Sequence, residues 1–135
     1  MPWARQFDEA SFGADHPKVA IRLNNLAQLL QDTNRLAEAE PLMRRALAID
    51  EASFGADHPK VATRLNNLAQ LLQATNRLAE AEPLMRRALE IFVVSLGREH
   101  PNSRTAQANY IGLLQALGWT DKAIEEDLIA LLHSE

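Results

Sequence analysis

Apolar residues recur along the chain at helical spacing and stop at regular intervals. Over Pro17 to Asp32, Val19, Leu23, Leu26, Ala27 and Leu30 fall on one side of a helix, while Ile21, Asn24, Asn25, Gln28, Gln31 and Asp32 fall on the other. Pro17 suits the first helical turn, where its missing N–H costs nothing, and Asp15 or His16 is placed to cap it. Thr33-Asn34 interrupts the pattern, with Asn34 in position to cap a second helix. That helix is predicted from Arg35 to Phe54, with Leu36, Ala39, Met43, Ala46 and Leu47 facing inward and Glu40 and Arg44 paired on the outside. Pro41 lies past the first turn, removes one backbone hydrogen bond and predicts a bend. A glycine suited to the left-handed position after a helix, followed by proline, punctuates the chain as Gly13…Pro17, Gly55…Pro59 and Gly97…Pro101.

The pattern repeats because the residues repeat. Asp8–Ile49 and Asp50–Ile91 are 42 residues apart and differ only at Ile21/Thr63, Asp32/Ala74 and Ala48/Glu90. Asp50-Glu51-Ala52 then becomes Phe92-Val93-Val94. A third unit diverges: Tyr110 stands for Leu68, Gly118 for Asn76 and Asp127 for Met85. The division predicted is a partial second helix over 1–12, a first repeat over 13–54, a second over 55–96 and a divergent C-terminal repeat over 97–135, seven helices in all. Trp3 and Phe7 share a face of the opening fragment and are placed to cover the end of the first full repeat.

Composition narrows the function. Ala, Leu, Glu, Arg and Gln dominate, all good helix formers, so the expectation is an all-α chain. There is no cysteine, which removes disulfide and thiolate chemistry and suits a reducing compartment. The formal net charge of −4 argues against nucleic acid as the main partner. No apolar run reaches the roughly 20 residues of a membrane span, and the N-terminus lacks the apolar core of a signal peptide, so a cytoplasmic location is expected.

Asn66-Asn67-Leu68-Ala69-Gln70-Leu71-Leu72, then Ala79-Glu80-Ala81-Glu82-Pro83-Leu84-Met85-Arg86-Arg87-Ala88-Leu89-Glu90-Ile91, then Gly97 and His100-Pro101 carry a resemblance. The unit resembles a tetratricopeptide repeat of the 42-residue type found in kinesin light chains and related bacterial arrays. The near-identity of the tandem units is more similar to a bacterial array than to a motor subunit. Small residues typical of such repeats match Ala27, Ala39 and Ala46, then Ala69, Ala81 and Ala88, but Ile111 stands at one of these places in the third unit. Leu23, Leu65 and Gln107 stand where an aromatic often opens the first helix. The resemblance implies a right-handed superhelix, an α-solenoid of helical hairpins whose first helices line a concave face, and a non-catalytic scaffold that binds a protein or peptide.

On that reading the groove is lined by Ile21, Asn24, Asn25, Gln28, Gln31 and Asp32, by Thr63, Asn66, Asn67, Gln70 and Gln73, and by Asn109. Side-chain amides donate and accept, so a ladder of them suits the backbone of an extended peptide. The alternative is that Asn24 and Asn66 face solvent while Asn25 and Asn67 bond within or between hairpins. Two of the three differences between the twin repeats, Ile21/Thr63 and Asp32/Ala74, fall on this stripe. Arg22, Arg64 and Arg104 flank it, better placed for solvent or ion pairs than for a ligand.

A second reading makes the chain a structural module that associates with itself. Glu82, Arg86 and Glu90 become Ile124, Leu128 and Leu132 in the last helix, an apolar stripe. If exposed, that stripe with Phe92 and Val93 marks a homodimer interface, with exchange of equivalent hairpins between chains. If the helix is rotated instead, the stripe packs on the preceding hairpin and Asp127 turns to water.

Catalytic and metal chemistry find no support. His16, His58 and His100 lie one repeat apart, and neighbouring helices stand roughly 8–10 Å from each other. Ligands to one metal must all reach within about 2–2.3 Å of it, so the three are read as residues of the pre-proline turn. No Ser/His/Asp set, phosphate loop or HExxH motif is present, Glu125-Glu126-Asp127 reads as a solvated face, and no cofactor is expected. Arg44-Arg45 and Arg86-Arg87 are offset by Glu40, Glu82 and Glu90.

Overall fold

A computed structural model describes residues 16–133. Six α-helices follow in order: α1 (Pro17–Asp32), α2 (Leu36–Phe54), α3 (Pro59–Ala74), α4 (Leu78–Leu96), α5 (Pro101–Ala116) and α6 (Asp121–Leu132). No strand occurs among the described residues. The helix fragment expected over Trp3 to Phe12, with Trp3, Phe7, Gly13 and Asp15, lies outside them.

Each odd-numbered helix starts the same way. His16, His58 and His100 are the N-caps, and their Nδ1 atoms accept from the amides of Lys18, Lys60 and Asn102 at 3.1, 3.0 and 3.0 Å. The pre-proline histidines are therefore helix caps, and proline at the first position completes the start.

The turn inside each hairpin corrects one expectation. Asn34 and Asn76 have φ 61°, the left-handed conformation, and Gly118 takes the same place at φ 90°. The Arg35 amide donates to the Leu30 carbonyl at 2.7 Å, and that of Asn34 to Gln31 at 3.0 Å. Asn34 thus closes α1 with a left-handed stop instead of capping α2. The cap position falls on Arg35, which has no side-chain acceptor and makes no capping bond. Thr120 does cap α6, its Oγ1 accepting from the Ala123 amide at 3.1 Å. Gly55 and Gly97 end α2 and α4 at φ 91° and 87°, but with ψ 158° and 152°. That is not the left-handed helical region anticipated for them, although glycine is still required there. The longer helices run through Pro41 and Pro83 without interruption.

Packing runs in sequence. α2 lies against both α1 and α3, and α4 against both α3 and α5. The middle hairpin is the heart of the core: Val61, Leu65, Leu68, Ala69, Leu71 and Leu72 of α3 are fully buried. Leu29 and Leu71 are the same residue of the twin units, yet the first is 50% exposed and the second 0%, because α3 has hairpins on both sides.

The third hairpin is open. α5 and α6 approach each other far less closely than α1 and α2 or α3 and α4 do. Ala27 and Ala39 of the first hairpin, and Ala69 and Ala81 of the second, are fully buried in one core; Ile111 takes the place of Ala69 in α5 and is only partly buried. A branched side chain thus stands where the first two hairpins have a methyl, and it needs more room between helices.

Candidate functional site

The stripe predicted to form a groove lies along α1, α3 and α5. Asn25, Asp32, Thr63 and Gln70 are exposed, as is Ile21; Asn24, Gln28, Gln31, Asn66, Asn67, Gln73 and Asn109 are half-buried. Half-burial follows from contacts between neighbouring helices. Asn67 Nδ2 donates to Asn24 Oδ1, and Asn109 Nδ2 to Asn66 Oδ1, both at 3.4 Å. In the adjacent pair on α3, Asn67 reaches back to α1 and Asn66 is reached from α5. Ala108 stands where a third forward-facing amide would be, so the ladder ends on α5. Each amide keeps further donor or acceptor capacity.

Two depressions open along this face, one repeat apart. The first, of about 170 Å³, is lined by Ile21, Asp50, Phe54, Lys60, Thr63 and Arg64, together with Pro17. The second, of about 140 Å³, is lined by Thr63, Asn66, Phe92, Asn102, Thr105 and Ala106. Shifting the first set by one repeat turns Asp50 into Phe92, Lys60 into Asn102 and Arg64 into Ala106. The first depression is charged: Arg64 Nε donates to Asp50 Oδ2 at 2.8 Å, and Lys60 Nζ lies 4.6 Å from the centre of the Phe54 ring. The second has no ionisable group in its lining.

Of the expected groove residues, Ile21, Thr63 and Asn66 line these depressions; Gln28, Gln31, Asp32, Gln70 and Gln73 lie further along the helices. Asp50, Lys60 and Phe92 were not anticipated as lining. Their signal was present in the sequence as the joint change of Asp50/Arg64 to Phe92/Ala106. Arg64 is ion-paired, and Arg104 pairs with Glu99 at 2.6 Å on the surface. That contact, led by its hydrogen bond, holds the Glu99 carboxyl below the usual range.

The stripe considered for self-association is occupied within the chain. Phe92, Val93 and Ile124 are buried, and Leu128 and Leu132 are partly buried against the same core. An exposed apolar surface at these five residues is therefore corrected: they cover this chain's own hairpins. Asp127 does not turn to water either. Both its oxygens accept from Arg86 Nη1 at 2.7 Å, and Oδ2 also accepts from the Tyr110 hydroxyl at 2.9 Å. Arg86 reaches Tyr110 Oη as well, at 2.9 Å. Burial, and then the bond to Asp127, pushes the Tyr110 phenol up to about 12. Arg86, Tyr110 and Asp127 thus each bond the other two.

On the outer face Glu40 accepts from both Arg44, at 3.0 Å, and Arg77. Burial favours its neutral form, but the two arginines together outweigh that and hold its pKa below the usual value. No group of three or more metal-binding side chains occurs among the described residues. No described helix is long and apolar enough to cross a membrane.

The tetratricopeptide repeat model matches residues 4–52, 23–92 and 65–126. Among solved structures, the fold is similar to two crystal structures, the first of a Gln-to-Met variant, of a Podosopora anserina protein described as a putative kinesin light chain with nearly identical tetratricopeptide-like repeats. Their TM-scores are 0.70 and 0.69 and their identities 24% and 25%, over 87% and 89% of this chain and 55% and 56% of theirs. It is also similar to BtubC (BKLC) from P. vanneervenii, at TM-score 0.71 and 23% identity, covering 89% of this chain and 48% of that one. This chain thus spans about half the length of these structures. No curated protein is significantly similar in sequence. Repeats of this kind mediate protein–protein interaction and scaffolding. The hairpins, their caps and the repeat matches from residue 4 to residue 126 agree, and the chain belongs to the tetratricopeptide repeat family.

Proposed function

We propose that the chain is a non-catalytic interaction module that holds an extended peptide, or an extended segment of a protein, along the face of α1, α3 and α5. The observation that carries this reading is the pair of depressions in register on one amide-lined face. Packed helices stand roughly 8–10 Å apart, and a polyproline-like chain rises about 3.1 Å per residue with three residues per turn. Side chains three residues apart would therefore meet successive depressions. The first, with Lys60 exposed at its rim, suits a carboxylate; the second, floored by Phe92, suits an apolar side chain. Amides not consumed by the bonds between helices are available to the peptide backbone.

The test is an extended-peptide array probed with the chain and two variants, Lys60→Ala and Asn25→Ala with Gln70→Ala. These side chains are exposed, so the fold should be kept. Binding weakened about tenfold or more in both, with unchanged melting, supports the groove; this corresponds to about 1.4 kcal/mol. Peptides that bind both variants as they bind the parent chain would sink it.

A further inference from the structure

The twin hairpins raise a problem of order. α1–α2 and α3–α4 share nearly every residue, so most of their surface gives α5–α6 no reason to dock on the second and not the first. What differs is concentrated where one hairpin meets the next. At the first junction Asp50 is 1% exposed, and its carboxylate pairs with Arg64 of the following hairpin. Arg87 Nη2 meets Glu51 at 3.1 Å, and Arg77 meets Glu40. One repeat on, Ala106 stands for Arg64, Ile129 for Arg87 and Trp119 for Arg77. Facing them, Phe92 stands for Asp50 and Val93 for Glu51. Phe92 and Ala106 are buried and line one depression together. Asp50 and Glu51 of one face and Arg64 and Arg87 of the other have thus been replaced in step, whereas Glu82 keeps the acid of Glu40 opposite the Trp119 that replaces Arg77.

We propose that the two junctions are non-interchangeable docking interfaces. The face carrying Asp50 and Glu51 accepts only a hairpin with arginines at the matching places. The face carrying Phe92 and Val93 accepts only the third hairpin. α5–α6 on the first face would bury Asp50 against the Ala106 methyl with no cation, and a buried carboxylate without its partner is strongly destabilising. An Arg64-type hairpin on the second face would bury a guanidinium against Phe92. Arg86, with its bonds to Tyr110 and Asp127, does not discriminate, because Arg44 stands at the same place in the first hairpin. The proposal concerns hairpin-to-hairpin recognition and stands whether or not the groove binds peptide.

Two thermodynamic cycles in the full chain test it. At the second junction these are Phe92→Asp, Ala106→Arg and both together; at the first, Arg64→Ala, Asp50→Phe and both. Each single change should lower the melting midpoint, Phe92→Asp and Arg64→Ala by roughly 10 °C. Each double variant should regain more than half of the summed loss, because the pair is matched again. Losses that simply add at both junctions would overturn the proposal. Should Phe92→Asp fail to fold, recovery of folding on adding Ala106→Arg is the supporting outcome, and continued failure the opposing one. The Asp50/Arg64 cycle at the first junction then decides independently.

Discussion

The first two hairpins and the third use one plan and close it differently. In the first two, Ala27 against Ala39 and Ala69 against Ala81 let the helices meet through methyl groups. In the third, Ile111 takes the place of the alanine, α5 and α6 lie less close, and Arg86 of the preceding hairpin bonds both Tyr110 and Asp127. Where the middle hairpin has Leu68 and Met85, both apolar and buried, the last has Tyr110 and Asp127. A small seam makes a hairpin that closes on itself. A large one makes a hairpin that needs its neighbour to complete it.

The largest effect should come from enlarging the tight seam. Ala81→Leu has no space to enter and should cost about 3 kcal/mol in chemical unfolding, whereas Ala123→Leu in the open hairpin should cost less than about 1 kcal/mol. Equal costs would mean the seams are not different in kind. Next comes Asp127→Ala, which strips the acceptor from Arg86 and Tyr110. With Arg86 about a third exposed, a loss of about 1–2 kcal/mol is expected, read as faster hydrogen exchange in α6 before α3.

The smallest effect is pH-dependent. The folded phenol of Tyr110 titrates at about 12 against 10.0 for the free group. The fold therefore retains that proton to higher pH than the unfolded chain does. The stability it contributes is whole below about pH 10 and is lost as the pH rises towards 12. Tyr110→Phe should cost about 1 kcal/mol at neutral pH and flatten the decline between pH 10 and 12. A variant whose alkaline profile superimposes on that of the parent chain would remove Tyr110 from the account.

Much of the architecture was legible from residues alone. The bounds Pro17 and Asp32 follow from proline, the cap and the end of the apolar period, and α1 has those ends. Glu40 and Arg44 pair as their spacing requires. The amide stripe on one side of α1 and α3 was legible too, since helical periodicity places residues on faces. The role of Asn34 was not, because a residue between two helices serves either the end of one or the start of the next, and only its φ of 61° decides. Nor was the destination of Asp127. Its place on α6 is a matter of period, but what stands opposite depends on how α6 sits against α4 and α5, which bring Arg86 and Tyr110 to it.

By itself, then, the sequence determined the helices, their 42-residue recurrence and the family of the fold, because these rest on local spacing and on caps a few residues long. Tertiary structure decided the partners. Asp50 meets Arg64 in one junction and Phe92 meets Ala106 in the next, Asn24 bonds Asn67, and the stripe from Ile124 to Leu132 turns into the core. Those outcomes depend on the separation and rotation of whole hairpins, which are set by side-chain volume at their seams and by charge pairs joined only once the hairpins stack.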